Sequence, residues 1–445
     1  MFLRKVTIEN VRSLELLELS CVNGDGEVRK WTLLLGENGC GKSTMLRAIA
    51  LTLAGSDGLA QLVGEIDSWI RPNAKFARVI VELETQHGER RQAKLVLGRG
   101  WTLSKLMNAN KQSLSAIDEA NKQTNRNYLT LAYGASRHLS TNADKAFSGD
   151  TQRLGPRARG MATLFSSDAQ LEPFESWILG LEFEKSGAGR KMLESIDKYL
   201  LPDVEFAGFD KRKRALLFQT PDGVMPLSVL SDGYQNIAAW SGDLLRSITR
   251  IFRDYKNPTS ARGLLLIDEI DLHLHPVWQR KLRGFLDAMF PNLQYVASTH
   301  SPLTAQQAGP GELHVLRRPV GKQARVEITQ FEGVPREMML HQLLQSPIFG
   351  LGTIDSVDVQ EKRARYRSLE GRATNAKAMT ERRRLGEELA ALPSISSKWD
   401  GTLAPHKKTL EEVLKKLGKL ASDVERPAAT VRRKKVATRH KGGAK

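Results

Sequence analysis

Residues 2–9 and 14–19 alternate apolar and polar side chains, the period of half-buried strands. Residues 31–35, Trp-Thr-Leu-Leu-Leu, form a short continuous apolar run and predict a strand covered on both faces. A glycine-rich turn follows at 36–41, then a helix from about Lys42 to Ala54. Runs near 77–85 and 92–98 flank Gln86-His87-Gly88-Glu89 and predict an antiparallel hairpin beside the main sheet. Residues 101–127 read as polar helix, 128–133 as a strand ending in Gly134-Ala135-Ser136-Arg137, and 138–200 as loop and helix. A basic hairpin is expected over 204–220, carrying Lys211-Arg212-Lys213-Arg214, and a helix begins near Ser231. Gly263–Ile267 is an almost wholly apolar strand, followed by a helix over 277–289 and a strand over 293–298. Beyond about 340 the chain turns polar and mainly helical, with breaks at Pro393, Pro405 and Pro427. No internal repeat or sustained heptad interrupts this order. Helices alternating with buried apolar strands predict an α/β domain with a largely parallel sheet. Its two halves are far apart in sequence, with a helical insertion between them.

Composition narrows the picture. An apolar share of 40% over 445 residues supports a sizeable core and excludes a disordered chain. No run approaches the roughly 20 apolar residues of a membrane span, and the start, Met1–Val6, lacks the long apolar centre of a signal peptide. A cytoplasmic protein with no membrane contact is expected. Cys21 and Cys40 are the only cysteines and form no C-x-x-C pair, which argues against a disulfide framework or a zinc site. Lys and Arg exceed Asp and Glu by 67 to 50, a net charge of +17. Eight Lys/Arg and no acid lie between Arg426 and Lys445. Such a tail either binds a polyanion such as nucleic acid or keeps the chain in solution as a solvated end.

The sharpest motif is Gly36-Glu37-Asn38-Gly39-Cys40-Gly41-Lys42-Ser43, followed by Thr44, which fits G-x-x-x-x-G-K-[ST]. Glycines let the backbone turn tightly and aim its N–H groups at phosphate oxygens, and the helix that follows adds its positive end. Lys42 can reach β- and γ-phosphates, and the Ser43 hydroxyl can ligate Mg2+. The alternative, a chance glycine-rich turn, ignores the strand before and the helix after. Cys40 occupies a variable position.

Leu264–Ile267 runs into Asp268-Glu269. Asp268 at the strand tip suits Mg2+, and Glu269 suits a water attacking the γ-phosphate; two acids at a strand end also serve as a helix cap. His273 and His275 sit two apart and would share a face on a strand, but no third or fourth ligand is evident, so a structural loop is favoured over a metal site. His300 follows the end of the strand at 293–298 and would lie beside the acids if the two strands are neighbours, placed to sense the γ-phosphate. Leu230-Ser231-Asp232-Gly233-Tyr234-Gln235 opens a helix with a capping Ser231 and a Gly233 that permits close approach.

The order of these motifs resembles the ABC ATPase superfamily, in its RecF/SMC/Rad50 branch. Within that branch the chain is similar to OLD-type and PtuA-like ATPases of bacterial antiviral defence, through Glu9–Ser13, Tyr133–Arg137, Glu269–Pro276 and Ser298–Pro302. The resemblance implies a P-loop NTPase with an ABC-type nucleotide-binding domain, an antiparallel β subdomain, a helical insertion and a basic helical tail. Its expected divisions are an N-terminal lobe at 1–100, an insertion at 101–225, a C-terminal lobe at 226–335 and an extension at 336–445. It implies ATP and Mg2+ as cofactors and a homodimer or higher homo-oligomer that sandwiches two ATP molecules. Residues 36–44, Asp268, Glu269 and His300 of one subunit would face Ser231, Asp232 and Gly233 of the other, with Arg12 near the phosphates. Two departures stand out. No glutamine follows the strand at 128–133, leaving Ser136 or Arg137 in its place, and His275 stands where the family places an aspartate.

The insertion is too short for a long coiled coil, and no acidic nuclease cluster follows residue 320. The chain then lacks an evident effector of its own, and the resemblance to PtuA-like systems implies a separate, co-encoded nuclease or toxin partner. The competing readings are a DNA-repair ATPase of RecF type, a non-hydrolysing clamp that uses ATP as a structural part, and a transporter lobe.

Overall fold

The computed structural model describes residues 1–85, 87–122, 129–136, 154–169, 171, 177–178, 204–210, 212, 215–251, 258–319, 325–351, 353, 355–369 and 376–392. They fall into two compact units, Met1–Gly352 and Thr353–Lys445. The tail at 426–445, most of the basic cluster at 211–214, Arg137 and most of 138–200 lie outside the described residues.

The first unit is built on β1 (Phe2–Val11), β2 (Leu14–Ser20), β3 (Trp31–Gly36), β4 (Phe76–Glu84), β5 (Arg90–Gly98) and β6 (Thr130–Tyr133). Further along come β7 (Glu205–Asp210), β8 (Ala215–Thr220), β9 (Gly223–Pro226), β10 (Gly263–Ile267), β11 (Leu293–Thr299), β12 (Leu313–Arg317) and β13 (Glu327–Gln330). A six-stranded sheet runs β13-β12-β3-β11-β10-β6, parallel throughout except for β13. A four-stranded antiparallel sheet runs β2-β1-β4-β5, and β7-β8-β9 form a third. The hairpin expected at 204–220 thus gains a third strand. The strand expected within the 101–225 insertion is β6, at the edge of the core sheet. Strands β12 and β13 were not foreseen.

Helices α1 (Lys42–Leu53), α2 (Gly55–Leu62), α3 (Leu103–Ala109), α4 (Lys111–Ala120), α5 (Asp232–Ile251) and α6 (Pro276–Met289) complete this unit's main framework. Helix α1 is buried almost all round, because it lies between the antiparallel sheet and the core sheet. The core strands are covered on both faces, and their residues divide between two cores by parity. Leu34, Leu264, Leu266 and Val296 join α1 and the inner faces of β1, β2, β4 and β5. Leu33, Leu35, Leu265, Ile267, Tyr295 and Ala297 pack against α5 and α6. Two-sided burial explains why these strands read as unbroken apolar runs.

Polar side chains close the remaining gaps. Gln294 is buried in β11, where its amide accepts from the N–H of Leu3 at 2.6 Å and donates to the carbonyls of Leu3 at 2.8 Å and Arg29 at 3.0 Å. Trp31 stacks on its register partner Tyr295 at 4.1 Å and donates to Asp287 at 2.9 Å; such stacking contributes about 0.5–1.5 kcal/mol beyond burial. The edge of β5 is shielded by α4, since Asn110 accepts from Val96 at 2.7 Å and Ser113 from Lys94 at 2.8 Å.

The second unit contains α7 (Val357–Ser368) and α8 (Ala376–Ala390). They are joined by Arg365 gripping Glu381 with two hydrogen bonds and by Lys362 against Glu388 at 2.8 Å. Helix α7 buries no residue, as its lack of an apolar stripe dictates.

Candidate nucleotide site

The phosphate loop joins β3 to α1. Gly36, Gly39 and Gly41 all have positive φ, at 156°, 79° and 92°, which L residues with a side chain adopt only under strain. Sterics reinforce the choice at two of them. A Cβ on Gly36 would stand 2.3 Å from the Leu316 carbonyl oxygen, and one on Gly41 2.7 Å from a Leu14 methyl. Helix α1 begins at Lys42 with no acid in its first turn, so its positive end is not neutralised from within. Lys42 is buried and donates to the carbonyls of Gly36 at 2.7 Å and Glu37 at 3.0 Å. Ser43 and Thr44 are half-buried; Glu37, Asn38 and Gly39 are exposed; Cys40 is buried.

Strand order brings the other motifs to the same edge. Strand β11 lies between β3 and β10, and all three run parallel, so their C-terminal ends emerge together. The register pairs Ile267 with Ala297 and Ser298 with Leu34, setting Asp268 opposite Ser298. Ser298 donates to Oδ1 of Asp268 at 2.5 Å and accepts from the Glu269 N–H at 2.8 Å. Glu269 sits at φ 47°, a left-handed backbone for a non-glycine residue.

The charges interact. Burial lowers the Lys42 ammonium, while Cys40, Asp268 and Glu269 hold it up. Burial and Lys42 push His300 below its ordinary value, against the upward pull of Glu269, Asp271 and Asp268. The charged imidazolium is thus disfavoured there, and the neutral ring keeps one N–H to donate.

The structure thus brings Lys42, Ser43, Asp268, Glu269 and His300 to one sheet edge. Ser231 and Gly233 lie at the start of α5, with Ser231 exposed; a Cβ on Gly233 would stand 3.6 Å from the His273 carbonyl oxygen. Arg12 has φ 50°, lies 4.3 Å over the Trp69 ring and donates to Ser68 at 3.3 Å. It lines a cavity of about 780 Å³ with Asn10, Ser13, Arg71, Asn73 and Arg318; Arg318 reaches the Gly39 carbonyl at 3.5 Å. Burial and Arg47 both disfavour the charged Arg12. The histidines at 273 and 275 occupy a turn rather than a strand: His273 has φ 64° and His275 caps α6 by accepting from Val277 at 3.4 Å. No cluster of metal-ligating residues is found among the described residues. Ser136 is half-buried.

Reading motifs alone missed four contributors. Ser298 had no role assigned, though two polar residues at the end of an apolar strand were a usable signal. Arg71 and Arg318 carry no local signature. Tyr133 is among the residues that carry the resemblance, but nothing in its spacing shows that its hydroxyl donates to Asp243 on α5 at 2.8 Å.

The fold is that of a P-loop NTPase. Residues 5–153 match the family model described as "AAA domain", and residues 157–305 match "AAA domain, putative AbiEii toxin, Type IV TA system". The chain is similar to the Septu protein PtuA of Bacillus mycoides, 29% identical over 351 residues, covering 79% of this chain and 45% of that protein. It is also similar to the Retron Vc95 probable ATPase of Vibrio cholerae, 21% identical over 368 residues, covering 67% of this chain and 71% of that protein. The chain therefore spans less than half the length of that PtuA. Among solved structures, an SMC head bound to the C-winged helix domain of ScpA aligns with a TM-score of 0.42 at 16% identity, over 76% of this chain and all of that one. Among the described residues, no helix is long and apolar enough to cross a membrane.

Proposed function

We propose that this chain binds ATP between two copies arranged head to tail, hydrolyses it, and thereby senses or regulates a partner effector, a nuclease or toxin, in bacterial antiviral defence. The convergence of Lys42, Asp268, Glu269 and His300 at one edge of the core sheet, within electrostatic reach of one another, carries the reading. The loop amides and Lys42 bind the β- and γ-phosphates. Lys42 first gives up its two carbonyl partners, which hold the ammonium aimed across the loop.

Ser43 and Asp268 offer the oxygen donors that Mg2+ takes, and no hydrogen bond engages the second carboxylate oxygen of Asp268 among the described residues. Bound there, Mg2+ supplies charge neutralisation on the phosphates. Glu269 orients a water toward the γ-phosphorus and draws off its proton as the bond to the bridging oxygen breaks; ADP leaves. Neutral His300 donates to a γ-phosphate oxygen. The basic cavity beside Arg12 suits the rest of the nucleotide. Ser231 and Gly233, exposed and half-buried at the start of α5, suit the γ-phosphate of a second copy. The defence role and the effector rest on the similarity to Septu PtuA and retron ATPases. Nucleic acid, where bound, would contact the basic cluster at 211–214 or the 426–445 tail.

The test is complementation. Lys42→Ala and Ser231→Arg should each abolish turnover alone, and a mixture should regain part of it, because a mixed dimer contains one intact composite site. No recovery in the mixture, with both proteins folded and dimerising, rejects the shared site.

A further inference from the structure

We infer that Ser298 is a positioning residue that sets both acids of the site, fixing Asp268 for the cation and Glu269 for the water. The inference rests on the proposed nucleotide reading and deepens it. The geometry is specific. One hydroxyl, fully buried in β11, donates its proton to Oδ1 of Asp268 at 2.5 Å and accepts the backbone N–H of Glu269 at 2.8 Å. Its own carbonyl accepts the N–H of Ile270 at 3.0 Å. Three successive residues of the β10 end are thus held by a single residue of the neighbouring strand.

Two consequences follow from hydrogen-bond directions. Because the hydroxyl proton is spent on Oδ1, the carboxylate cannot rotate freely and presents its other oxygen in one orientation. Because the lone pair takes the Glu269 N–H, the backbone is held at φ 47°, a conformation a glutamate does not choose unaided. The strain is local, and the residue that holds it lies near the end of β11, two residues before His300. Groups that orient a ligand without touching the metal commonly alter metal affinity by about 10–100-fold.

The experiment compares full-length protein with Ser298→Ala, Ser298→Cys and Ser298→Thr variants, using a fluorescent ATP analogue in EDTA and in graded Mg2+. Ala and Cys should bind the analogue in EDTA within about twofold of the unmodified protein, because the phosphate loop is intact. Their half-saturating Mg2+ should rise by about 10-fold or more, and Ser298→Thr, which keeps the hydroxyl, should recover most of the loss. If the Ala variant does not fold, the Cys and Thr pair carries the comparison. Equal Mg2+ requirements in all variants overturn the inference, as does parallel loss of binding in EDTA, which marks general damage. If the unmodified protein shows no Mg2+-dependent binding, the nucleotide reading fails and takes the inference with it.

Discussion

The hydroxyl of Tyr133 donates a 2.8 Å hydrogen bond to the buried carboxylate of Asp243, tying strand β6 to helix α5. The same residue's carbonyl accepts the N–H of Asp268 at 2.8 Å. One residue therefore touches both the acidic strand end and the helix that presents Ser231.

Tyr133→Phe keeps the ring, and with it the packing on Trp240 at 6.2 Å, but removes the bond. A buried hydrogen bond to a charged group is worth about 1.5–3 kcal/mol. Urea unfolding should show a loss of that size, although Asp243 retains Arg246 at 3.1 Å. An unchanged midpoint would mean that the phenol has no net weight in coupling the two elements.

The loop glycines should rank by what a methyl group meets. Gly36→Ala strikes the backbone carbonyl of Leu316, which cannot retreat because β3 and β12 are paired there. Gly41→Ala meets a leucine methyl that can turn aside, and Gly39→Ala meets open space. The last should cost only the left-handed strain, about 1–2 kcal/mol. Melting temperatures should fall in the order Gly39→Ala least, Gly41→Ala intermediate, Gly36→Ala most.

His300 offers a charge test without turnover. Its titration midpoint in the nucleotide-free protein should lie below 6.5, since burial and Lys42 outweigh the acids. Glu269→Gln removes an upward pull and should lower the midpoint further, whereas Lys42→Ala should raise it. Ring-proton NMR reads both shifts. Shifts of the opposite sign would place these charges apart.

His314 should make the protein acid-sensitive. Burial and Arg29 push its imidazole down to about 4, so between pH 6.5 and 4 the unfolded chain binds a proton that the folded state refuses. Stability present above 6.5 is lost as pH falls through this window, by up to about 3 kcal/mol. In denaturant titrations at pH 7 and 4.5, His314→Asn should show a smaller difference than the unmodified protein. An equal difference would assign the acid response elsewhere.

The elements most legible in sequence were those whose burial is two-sided or strictly alternating. Strand Gly263–Ile267 was read to the residue because all five positions are buried. The phosphate loop was equally plain, since its glycines answer a local backbone demand. Strand β13 has mostly exposed side chains and gives no such signal. Nor could sequence show that β11 separates β3 from β10, for strand order is decided by packing across hundreds of residues. Ser298 illustrates the limit: its role exists only once residues 30 positions apart are set side by side. The His273–His275 pair went the other way, because a spacing of two carries meaning on a strand and none on a turn.

Gln294 gives the architecture its stiffness. With one carboxamide engaged by Leu3 twice and by Arg29 once, the antiparallel sheet cannot slide over the core strands without stranding three polar groups in a dry interior. The two sheets must then travel as one plate.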